Sequence, residues 1–227
     1  MPAPLAVIIP TLNAAHALPS TADALLSGAT EGLIRDLVIA DGGSTDATAE
    51  IAKELGAIWV DGPAGRGRQI ASGVAASDAP WALILHADTH LSPGWPDAAR
   101  AHMNDHPDMA GYFRLKFRAP GLVPRLVAFG ANIRARYLGL PYGDQGLLIS
   151  RSTLAEIGGI PDLPLMEDVA LADRLKGRLA ELKSVAHTSA ERYQNDGWAR
   201  RVVHNLGTLV RYRLGRDTRE LAERYER

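Results

Sequence analysis

The stretch IADGGSTD, residues 39–46, is the most informative part of the sequence, because a short apolar run ends there in polar, glycine-rich residues. Three more short apolar runs lie at 5–9, 58–60 and 81–85. Such runs are typical of strands buried on both faces of a parallel sheet. Helical patterns at 20–26, 45–55 and 68–76 separate them, and Gly56 suits the left-handed stop of the second helix. The first 90 residues therefore predict an α/β fold.

The pattern after Pro93 predicts a mixed second half in the same domain. Helices are expected at 95–103, 122–138, 167–176 and 197–214, and strands at 110–117, 146–150 and 182–185. Residues 110–117 alternate apolar and polar side chains, which favours an antiparallel or edge strand. For the first two helices of the chain, Ser20 and then Ser44 or Thr45 are the candidate caps.

The composition excludes several classes of protein. The chain has 227 residues, of which 46% are hydrophobic and 22% charged, and its formal net charge is -1. It can bury a core, and it is not a globally basic nucleic-acid binder. The absence of cysteine excludes disulfides, thiolate zinc and a cysteine nucleophile. Neither a signal peptide nor an apolar run of about 18 residues is evident, so we expect a cytoplasmic protein.

Four polar clusters follow predicted strands or open a predicted helix. They comprise Pro10, Thr11 and Asn13; residues 41–46; Arg66, Arg68 and Gln69; and His86, Ala87, Asp88 and His90. Ligands of parallel α/β sheets bind at the carboxyl ends of the strands, so these clusters predict one binding site. No nucleophile-elbow, P-loop or His-Glu-x-x-His pattern is present, which argues against the enzymes that use them.

Two of the clusters suit a nucleotide. Asp41 can accept hydrogen bonds from a base or ribose, and Gly42 and Gly43 let a ligand approach the backbone closely. The alternative is that Asp41 only makes an Asx turn and that a neighbour caps the next helix. Arg66 and Arg68 suit a diphosphate, with a solvated basic loop as the alternative.

The remaining candidates are acidic or imidazole side chains. His86, Asp88 and His90 would share one face of an extended segment and could converge on a divalent metal, with Asp88 the strongest ligand. His86 could instead be a core residue, and His90 an exposed loop residue. Glu167 and Asp168 could supply a general base, or could only favour the start of a helix. The pair Asp144 and Gln145 could bind substrate hydroxyls or shape a turn.

Taken in order, these motifs resemble family 2 glycosyltransferases with the GT-A fold. The resemblance runs from residue 7 to about residue 187 and includes 7–13, 39–46, 65–73, 85–89 and the acidic pair at 167–168. The sequence Leu-His-Ala-Asp-Thr particularly resembles a small bacterial subgroup labelled arsenosugar-type glycosyltransferases. His86 replaces the first Asp of the family's Asp-x-Asp motif, which puts the metal preference in question.

The resemblance implies a GT-A domain over residues 1–227, with a mixed, mostly parallel central sheet flanked by helices. Residues 1–90 would bind the nucleotide sugar, 91–190 the acceptor, and 191–227 would form a basic helical tail. It implies an inverting, metal-dependent transfer from a nucleotide-diphosphate sugar, with UDP-sugar expected, to a small-molecule or lipid-linked acceptor. The implied donor site comprises Pro10, Thr11, Asn13, Asp41, Gly42, Gly43, Arg66, Arg68, Gln69, His86 and Ala87. Asp88 would ligate Mn²⁺ or Mg²⁺, Asp168 beside Glu167 would be the base, and Asp144 and Gln145 would contact substrate.

Alternatives remain open. A non-catalytic nucleotide-sugar-binding protein and a nucleotidyltransferase of related fold are the main ones, and a nucleic-acid binder is the third. No Gln-x-x-Arg-Trp motif is present, which argues against a processive synthase. The segment 197–216 has five arginines and no acid. Such a helix could touch the inner face of an anionic membrane, pack in a homodimer, or simply be solvated.

Overall fold

The computed structural model describes residues 3–225, and side chains up to residue 222. Eight described strands form one sheet: β1 Leu5–Thr11, β2 Ile34–Asp41, β3 Ile58–Asp61, β4 Trp81–Ile84, β5 Thr89–Leu91, β6 Ala110–Phe117, β7 Leu147–Ser150 and β8 Leu179–Thr188. Their order is β3-β2-β1-β4-β7-β6-β8-β5. The first four strands are parallel, and antiparallel pairs join β7 to β4 and β6 and join β5 to β8. The predicted α/β fold with a mixed central sheet is confirmed.

Helices pack against both faces of the sheet. They are α1 Leu18–Thr30, α2 Thr48–Glu54, α3 Arg66–Ala75, α4 Trp95–Asp105, α5 Leu122–Leu138, α6 Arg151–Glu156, α7 Glu167–Arg174, α8 Glu191–Asp196, α9 Trp198–Arg213 and α10 Thr218–Tyr225. A 3₁₀ turn at Gly143–Gln145 precedes β7. No helix of residues 3–225 is long and apolar enough to cross a membrane. The division of the chain into donor half, acceptor half and tail stays a prediction.

The core has two layers, one on each face of the sheet. Along β1, Leu5, Val7 and Ile9 belong to the cluster that contains Trp95 and Phe113. Ala6 and Ile8 belong to the other cluster, under α3 and α7. This division follows from the period of two in a strand, and burial on both faces explains why β1 reads as a continuous apolar run.

The antiparallel strand β7 brings a further loop to the predicted binding edge, where the carboxyl ends of the parallel strands lie. It pairs with β4 so that Leu147, its first residue, lies opposite Ile84, the last residue of β4. The loop that enters β7 therefore arrives at the carboxyl end of β4, beside the polar turns that follow the parallel strands. This topology brings residues 139–146 to the predicted binding edge.

Several local predictions differ from the structure. Of the two alternatives predicted for β6, the antiparallel one holds on one side only: β6 is antiparallel to β7 and parallel to β8, and it is not an edge strand. Its alternation arises because Arg114 and Lys116 face solvent from an interior strand. Ser20 lies inside α1, and α2 begins at Thr48, so neither helix has the predicted side-chain cap. Strand β5 has three residues, too few to show a period.

Candidate active site

The loop after β2 is folded around the carboxylate of Asp41. Its Oδ1 accepts hydrogen bonds from the hydroxyls of Thr11 at 2.8 Å and Ser44 at 2.6 Å. Its Oδ2 accepts the backbone N–H groups of Gly43 at 2.9 Å and Ser44 at 2.6 Å. Burial raises the pKa of Asp41, but these hydrogen bonds, led by those of Ser44, outweigh burial and leave the pKa lowered. The predicted Asx turn is therefore present, and the contact of Asp41 with a nucleoside stays a prediction.

Hydrogen bonds connect the loop after β1 to the loop after β2 and restrict the movement of both. The N–H of Asn13 donates to the hydroxyl of Ser44 at 2.7 Å, and the side-chain oxygen of Asn13 accepts the N–H of Thr45 at 2.9 Å. Asn13 has a left-handed backbone, with φ 51°, which is uncommon outside glycine. Pro10 and Thr11 end β1 directly beside Ala40 and Asp41. The two loops form one rigid polar surface.

Gln69 on α3 joins this surface to the next cluster. Its side-chain amide donates to the carbonyls of Thr11 at 2.8 Å and Ala40 at 2.9 Å, and it is buried. A Cβ at Gly42 would lie 3.0 Å from the Gln69 Nε2, so glycine there allows the close packing. The Gln69 side chain thus hydrogen-bonds to the protein's own backbone and fixes the start of α3 against the carboxyl ends of β1 and β2.

Of the two predicted diphosphate ligands, the structure turns Arg66 toward the acidic pair and Arg68 away from it. Arg66 forms an ion pair with Glu167 at 3.5 Å. Arg68 is exposed and contacts Asp162 at 3.3 Å, in a separate hollow that also includes Gly65 and Arg219. The helix starts at Arg66 and not, as predicted, at Arg68, so the two side chains leave it about 200° apart. The case for a diphosphate contact is therefore stronger for Arg66 than for Arg68.

The predicted convergence of His86, Asp88 and His90 on a metal is wrong. The chain turns at this point, and the N–H of Thr89 donates to the carbonyl of His86, so the segment is not extended. The ring of His90 contacts Arg118, with 3.0 Å between Nε2 and Nη1. Residues 3–225 contain no group of three His, Asp or Glu side chains close enough to hold a metal ion.

His86 packs against the 3₁₀ turn that precedes β7. A Cβ at Gly143 would lie 2.4 Å from the His86 Nε2, so only glycine allows the ring to occupy this position. Burial lowers the pKa of His86 well below its usual value, and the charges of Arg66 and Arg192 lower it further. The imidazole is therefore neutral at pH 7 and does not repel a cation. Ala87 receives a hydrogen bond on its carbonyl from the Thr21 hydroxyl at 2.6 Å, which fixes the turn.

The acidic pair opens α7 and faces the same turn. Asp168 accepts the N–H of Gly143 on Oδ2 at 2.9 Å and the N–H of Val169 on Oδ1 at 2.8 Å. Each oxygen keeps one lone pair for a further donor. Met166, immediately before the pair, has a left-handed backbone with φ 66°. A non-glycine residue with such a backbone stores strain of the kind found at functional sites.

Glu167 is buried beside Asp168 in an unfavourable environment. The residue is only 2% exposed, and its Oε2 has no hydrogen-bond partner among the described residues. Burial raises the pKa of Glu167 to about 7; the charge of Arg66 opposes this shift, and the charge of Asp168 adds to it. Glu167 is therefore partly protonated near neutral pH, and its other oxygen, Oε1, contacts Arg66.

Asp144 is the second acid with an unpaired buried oxygen. Its Oδ1 has no hydrogen-bond partner in the part of the chain that the structure describes. Burial raises the pKa of Asp144 to about 6; Arg134 opposes the shift, and Asp168 and Asp88 both add to it. Asp88 and Asp168 thus lie near enough to Asp144 for their charges to act on it, although the three carboxylates are not close enough together to form a metal site among the described residues. Carboxylate oxygens are the donors that Mg²⁺ and Mn²⁺ prefer, so the unpaired Oδ1 of Asp144 has the right chemistry for a hard divalent cation.

Gln145 supports the site from behind. It is fully buried, its amide N–H donates to the carbonyl of Phe113 at 3.1 Å, and its Oε1 accepts the N–H of Tyr142 at 3.4 Å. The structure thus favours the turn-shaping alternative for Gln145. Arg134 on α5, which the sequence did not point to, lies over the ring of Tyr142 at 3.3 Å and donates to the carbonyl of Leu140 at 2.9 Å. No local motif marks Arg134, because its partners lie in the following loop.

A pocket connects these groups. It is lined by His86, Tyr142, Gly143, Glu167 and Asp168 at its polar side, and by apolar residues of β4, β7, α3 and α7 at its base. Gly143 links the two polar walls, because it contacts the His86 ring and donates to Asp168. The structure therefore brings His86, Asp144, Glu167, Asp168 and Arg66 together at the edge that also carries Asp41 and Asp88.

Comparisons with known proteins identify the family to which the chain belongs. Residues 6–145 match the family described as Glycosyl transferase family 2. "Glycosyltransferase AglJ" of Haloferax volcanii is 34% identical over 152 residues, which are 63% of this chain and 47% of that protein. The chain thus spans about half the length of this curated relative.

Two solved structures share the fold at low sequence identity. TarS 1-349 of S. aureus has a TM-score of 0.63 and 17% identity, over 81% of this chain and 60% of that chain. Glucosyl-3-phosphoglycerate synthase from Mycobacterium tuberculosis, solved with Mn²⁺ and uridine-diphosphate-glucose, has a TM-score of 0.56 and 20% identity, over 82% of this chain and 69% of that chain. The family match covers more than half of the chain and includes the turns after β1, β2 and β4. This chain belongs to glycosyl transferase family 2 and has its GT-A fold.

Proposed function

We propose that this chain is an inverting glycosyltransferase that moves a sugar from a UDP-sugar to an acceptor hydroxyl. The observation that carries the proposal is the pocket lined by Gly143, Glu167 and Asp168, at the edge where the Asp41 loop ends. Arg66 forms an ion pair with Glu167 there. An acidic pair at the end of a nucleotide-binding sheet has a use in transfer chemistry that simple nucleotide binding does not require. A protein that only bound the nucleotide sugar would not need the Asp168 carboxylate fixed in place with a lone pair left on each oxygen.

The donor is proposed to lie across the carboxyl ends of β1, β2 and β4. The polar surface made by Thr11, Asn13 and the loop at 41–46 receives the nucleoside, and the backbone of Gly42 and Gly43 allows close approach. Arg66 is the proposed diphosphate ligand, since its guanidinium can exchange Glu167 for a more strongly charged partner. The solved M. tuberculosis synthase, which holds uridine-diphosphate-glucose and Mn²⁺, supports a UDP-sugar donor.

A divalent metal, Mn²⁺ or Mg²⁺, is proposed at Asp88, with Asp144 facing the same place. When bound, it would neutralise charge on the leaving diphosphate. The unpaired Oδ1 of Asp144 and the effect of the nearby charges of Asp88 and Asp168 on the pKa of Asp144 support this assignment. The neutral imidazole of His86 takes the place of a carboxylate and contributes no negative charge.

Asp168 is the proposed general base. As the acceptor oxygen forms its bond to the anomeric carbon, the bond from that carbon to the diphosphate oxygen breaks, and UDP leaves with the electron pair. The proton of the acceptor hydroxyl passes to Asp168, whose oxygens each retain a free lone pair. A single displacement of this kind inverts the anomeric configuration. The N–H of Gly143 keeps the carboxylate in position.

A screen of nucleotide-diphosphate sugars by thermal shift, with and without Mn²⁺, would identify the donor. The donor that raises the melting temperature is then incubated with the enzyme, and release of UDP is measured. We expect UDP release by the wild type and loss of release in Asp168→Asn, with donor-induced stabilisation retained. Stabilisation without any UDP release, even with candidate acceptors, would indicate a binding protein instead. Asp78→Asn is the matched control, because Asp78 is an exposed acid before the amino end of β4, whereas the site lies at the carboxyl end of that strand.

A further inference from the structure

Helix α5 exposes an apolar stripe to solvent. The residues of the stripe recur every three or four positions and share one side of the helix; their exposed fractions are 68% for Leu122, 58% for Leu126, 64% for Phe129, 41% for Ile133 and 72% for Tyr137. The opposite side of α5 carries Pro124, Ala128 and Ala135, which are buried. The helix is thus apolar on both sides, and only one side has a partner within the described residues.

Helix α9 has a second stripe of the same kind. Val203, Leu206 and Val210 are 69%, 52% and 55% exposed, and Leu214, which follows the helix, is 78% exposed. The two helices contact each other, and Trp198 at the start of α9 packs on the same small cluster as Val127 and Ala131 of α5. We call the two exposed apolar stripes, taken together, the α5/α9 face.

The charges on the two helices all have one sign. Helix α5 contains Arg125, Arg134 and Arg136, helix α9 contains Arg200, Arg201, Arg211 and Arg213, and neither helix contains Asp or Glu. Arg125 and Arg136 are exposed on α5, as are Arg200 and Arg211 on α9. Arg201 and Arg213 form ion pairs with Asp196 and Asp173, so the positive charge rests on the remaining exposed arginines. The whole chain has a formal net charge of -1, so this positive charge is a local property.

We propose that the α5/α9 face docks on the surface of an anionic lipid bilayer. A helix with an apolar stripe flanked by arginines lies in the headgroup region, where the stripe enters the acyl boundary and the guanidinium groups reach the lipid phosphates. A second copy of this chain is a poorer partner, because a two-fold interface places the same arginines opposite one another. The face therefore complements an anionic surface and not itself.

The position of the face relates it to the pocket. Helix α5 ends at Leu138, and the chain continues directly into the loop that carries Tyr142, Gly143 and Asp144. Arg134, one turn from the end of the helix, holds that loop through its contacts with Leu140 and Tyr142. Docking through α5 would place the pocket close to the bilayer. The inference itself concerns only lipid binding and does not depend on the proposed function.

Co-sedimentation of the full chain with vesicles tests the proposal. We expect binding to vesicles of phosphatidylcholine with 30% phosphatidylglycerol, about tenfold or more above binding to pure phosphatidylcholine, and weakening by salt. Leu126→Glu and Phe129→Glu on α5, and Val210→Glu on α9, should each abolish most of it. Leu26→Glu on α1 is the matched control, because Leu26 is 57% exposed and Leu126 is 58% exposed.

A second pair of variants tests the charges. Arg125→Gln with Arg211→Gln should reduce binding to the anionic vesicles about tenfold or more. Arg35→Gln with Lys53→Gln removes the same charge from exposed positions elsewhere and should change it little. Circular dichroism melts establish that each variant is folded. Equal binding to neutral vesicles, equal loss in variant and control, or sedimentation as a dimer without vesicle binding would overturn the proposal.

Discussion

The two parts of the active-site edge differ in how well their polar atoms are satisfied. Around Asp41, both carboxylate oxygens are saturated by four donors, and the pKa is lowered. Around Asp144 and Glu167, each acid has one buried oxygen without a partner, and both pKa values are raised. We call these the saturated loop and the acidic wall.

The difference shows which part is built before a ligand arrives. The saturated loop is complete in itself, so its shape is available to a nucleoside without further ordering. The acidic wall is destabilised by the burial of its carboxyl groups, and a bound cation would reduce that cost. Substitutions that remove charge should therefore destabilise the loop and stabilise the wall. The predictions below test this contrast.

The largest effect is expected for Asp168→Asn. The variant loses the proton acceptor, so kcat should fall about 10²–10⁴-fold, equivalent to about 3–5 kcal/mol of barrier lowering. Donor binding should remain within about twofold, since the amide still accepts the N–H of Gly143. Steady-state kinetics and calorimetry measure the two quantities. Turnover close to that of the wild type would remove Asp168 from its role.

The next effect is on stability, in Asp41→Asn. The amide places an N–H₂ group where one carboxylate oxygen accepts two of the four hydrogen bonds, so two donors lose their acceptor. We expect a loss of about 2–4 kcal/mol in the free energy of unfolding, measured by urea denaturation. Asp46→Asn, at an exposed position of the same loop, should cost less. An Asp41→Asn variant as stable as the wild type would contradict a saturated loop.

Glu167→Gln should have the opposite sign, and its effect should depend on pH. The pKa of Glu167 in the folded state is about 7, above the unfolded value of 4.5, so the folded state binds more protons between these values. The contribution of Glu167 to stability is therefore complete below pH 4.5 and is lost as the pH rises through 7. Glutamine should stabilise the chain at pH 8 by about 1–3 kcal/mol and have little effect at pH 4.5. Urea denaturation at both pH values provides the comparison, and destabilisation at pH 8 would show that the acidic wall is not strained.

The smallest effect is expected for Thr11→Val. The substitution keeps the shape of the side chain and removes one hydroxyl, which donates to Asp41 at 2.8 Å. We expect a loss of about 1 kcal/mol, because three other donors still hold the carboxylate. The same denaturation experiment measures it. Thr45→Val, at an exposed neighbour, serves as the control, and equal losses in the two variants would show that the Thr11 hydroxyl has no special role.

The saturated loop was predictable from the sequence because its contacts are local or join adjacent strand ends. The residues at 39–46 contain the Asx turn, the glycines and the strand that precedes them, and parallel topology places Thr11 beside Asp41. The acidic wall was predictable only as a set of residues. The strain on Glu167 and Asp144 depends on the antiparallel strand β7 and on α5, whose positions no local pattern specifies.

Errors in the prediction have the same origin. The third helix was predicted to begin at Arg68, whereas it begins at Arg66, and Arg66 pairs with Glu167. The assignment of either arginine to the diphosphate stays a prediction. The three proposed metal ligands at 86–90 required an extended segment, and one turn at His86 separates them. In the first case the helix begins two residues earlier than predicted, and in the second a single turn interrupts the segment. Sequence periodicity does not fix the ends of helices and strands to within one or two residues.

Calorimetric titration of UDP into the wild-type protein, with and without Mn²⁺, is the most direct test of the central claim that the loop and the wall form one donor site. The account predicts saturable one-to-one binding with Mn²⁺, at least about tenfold tighter than binding without it. The same affinity in both titrations, or no binding in either, would contradict the account.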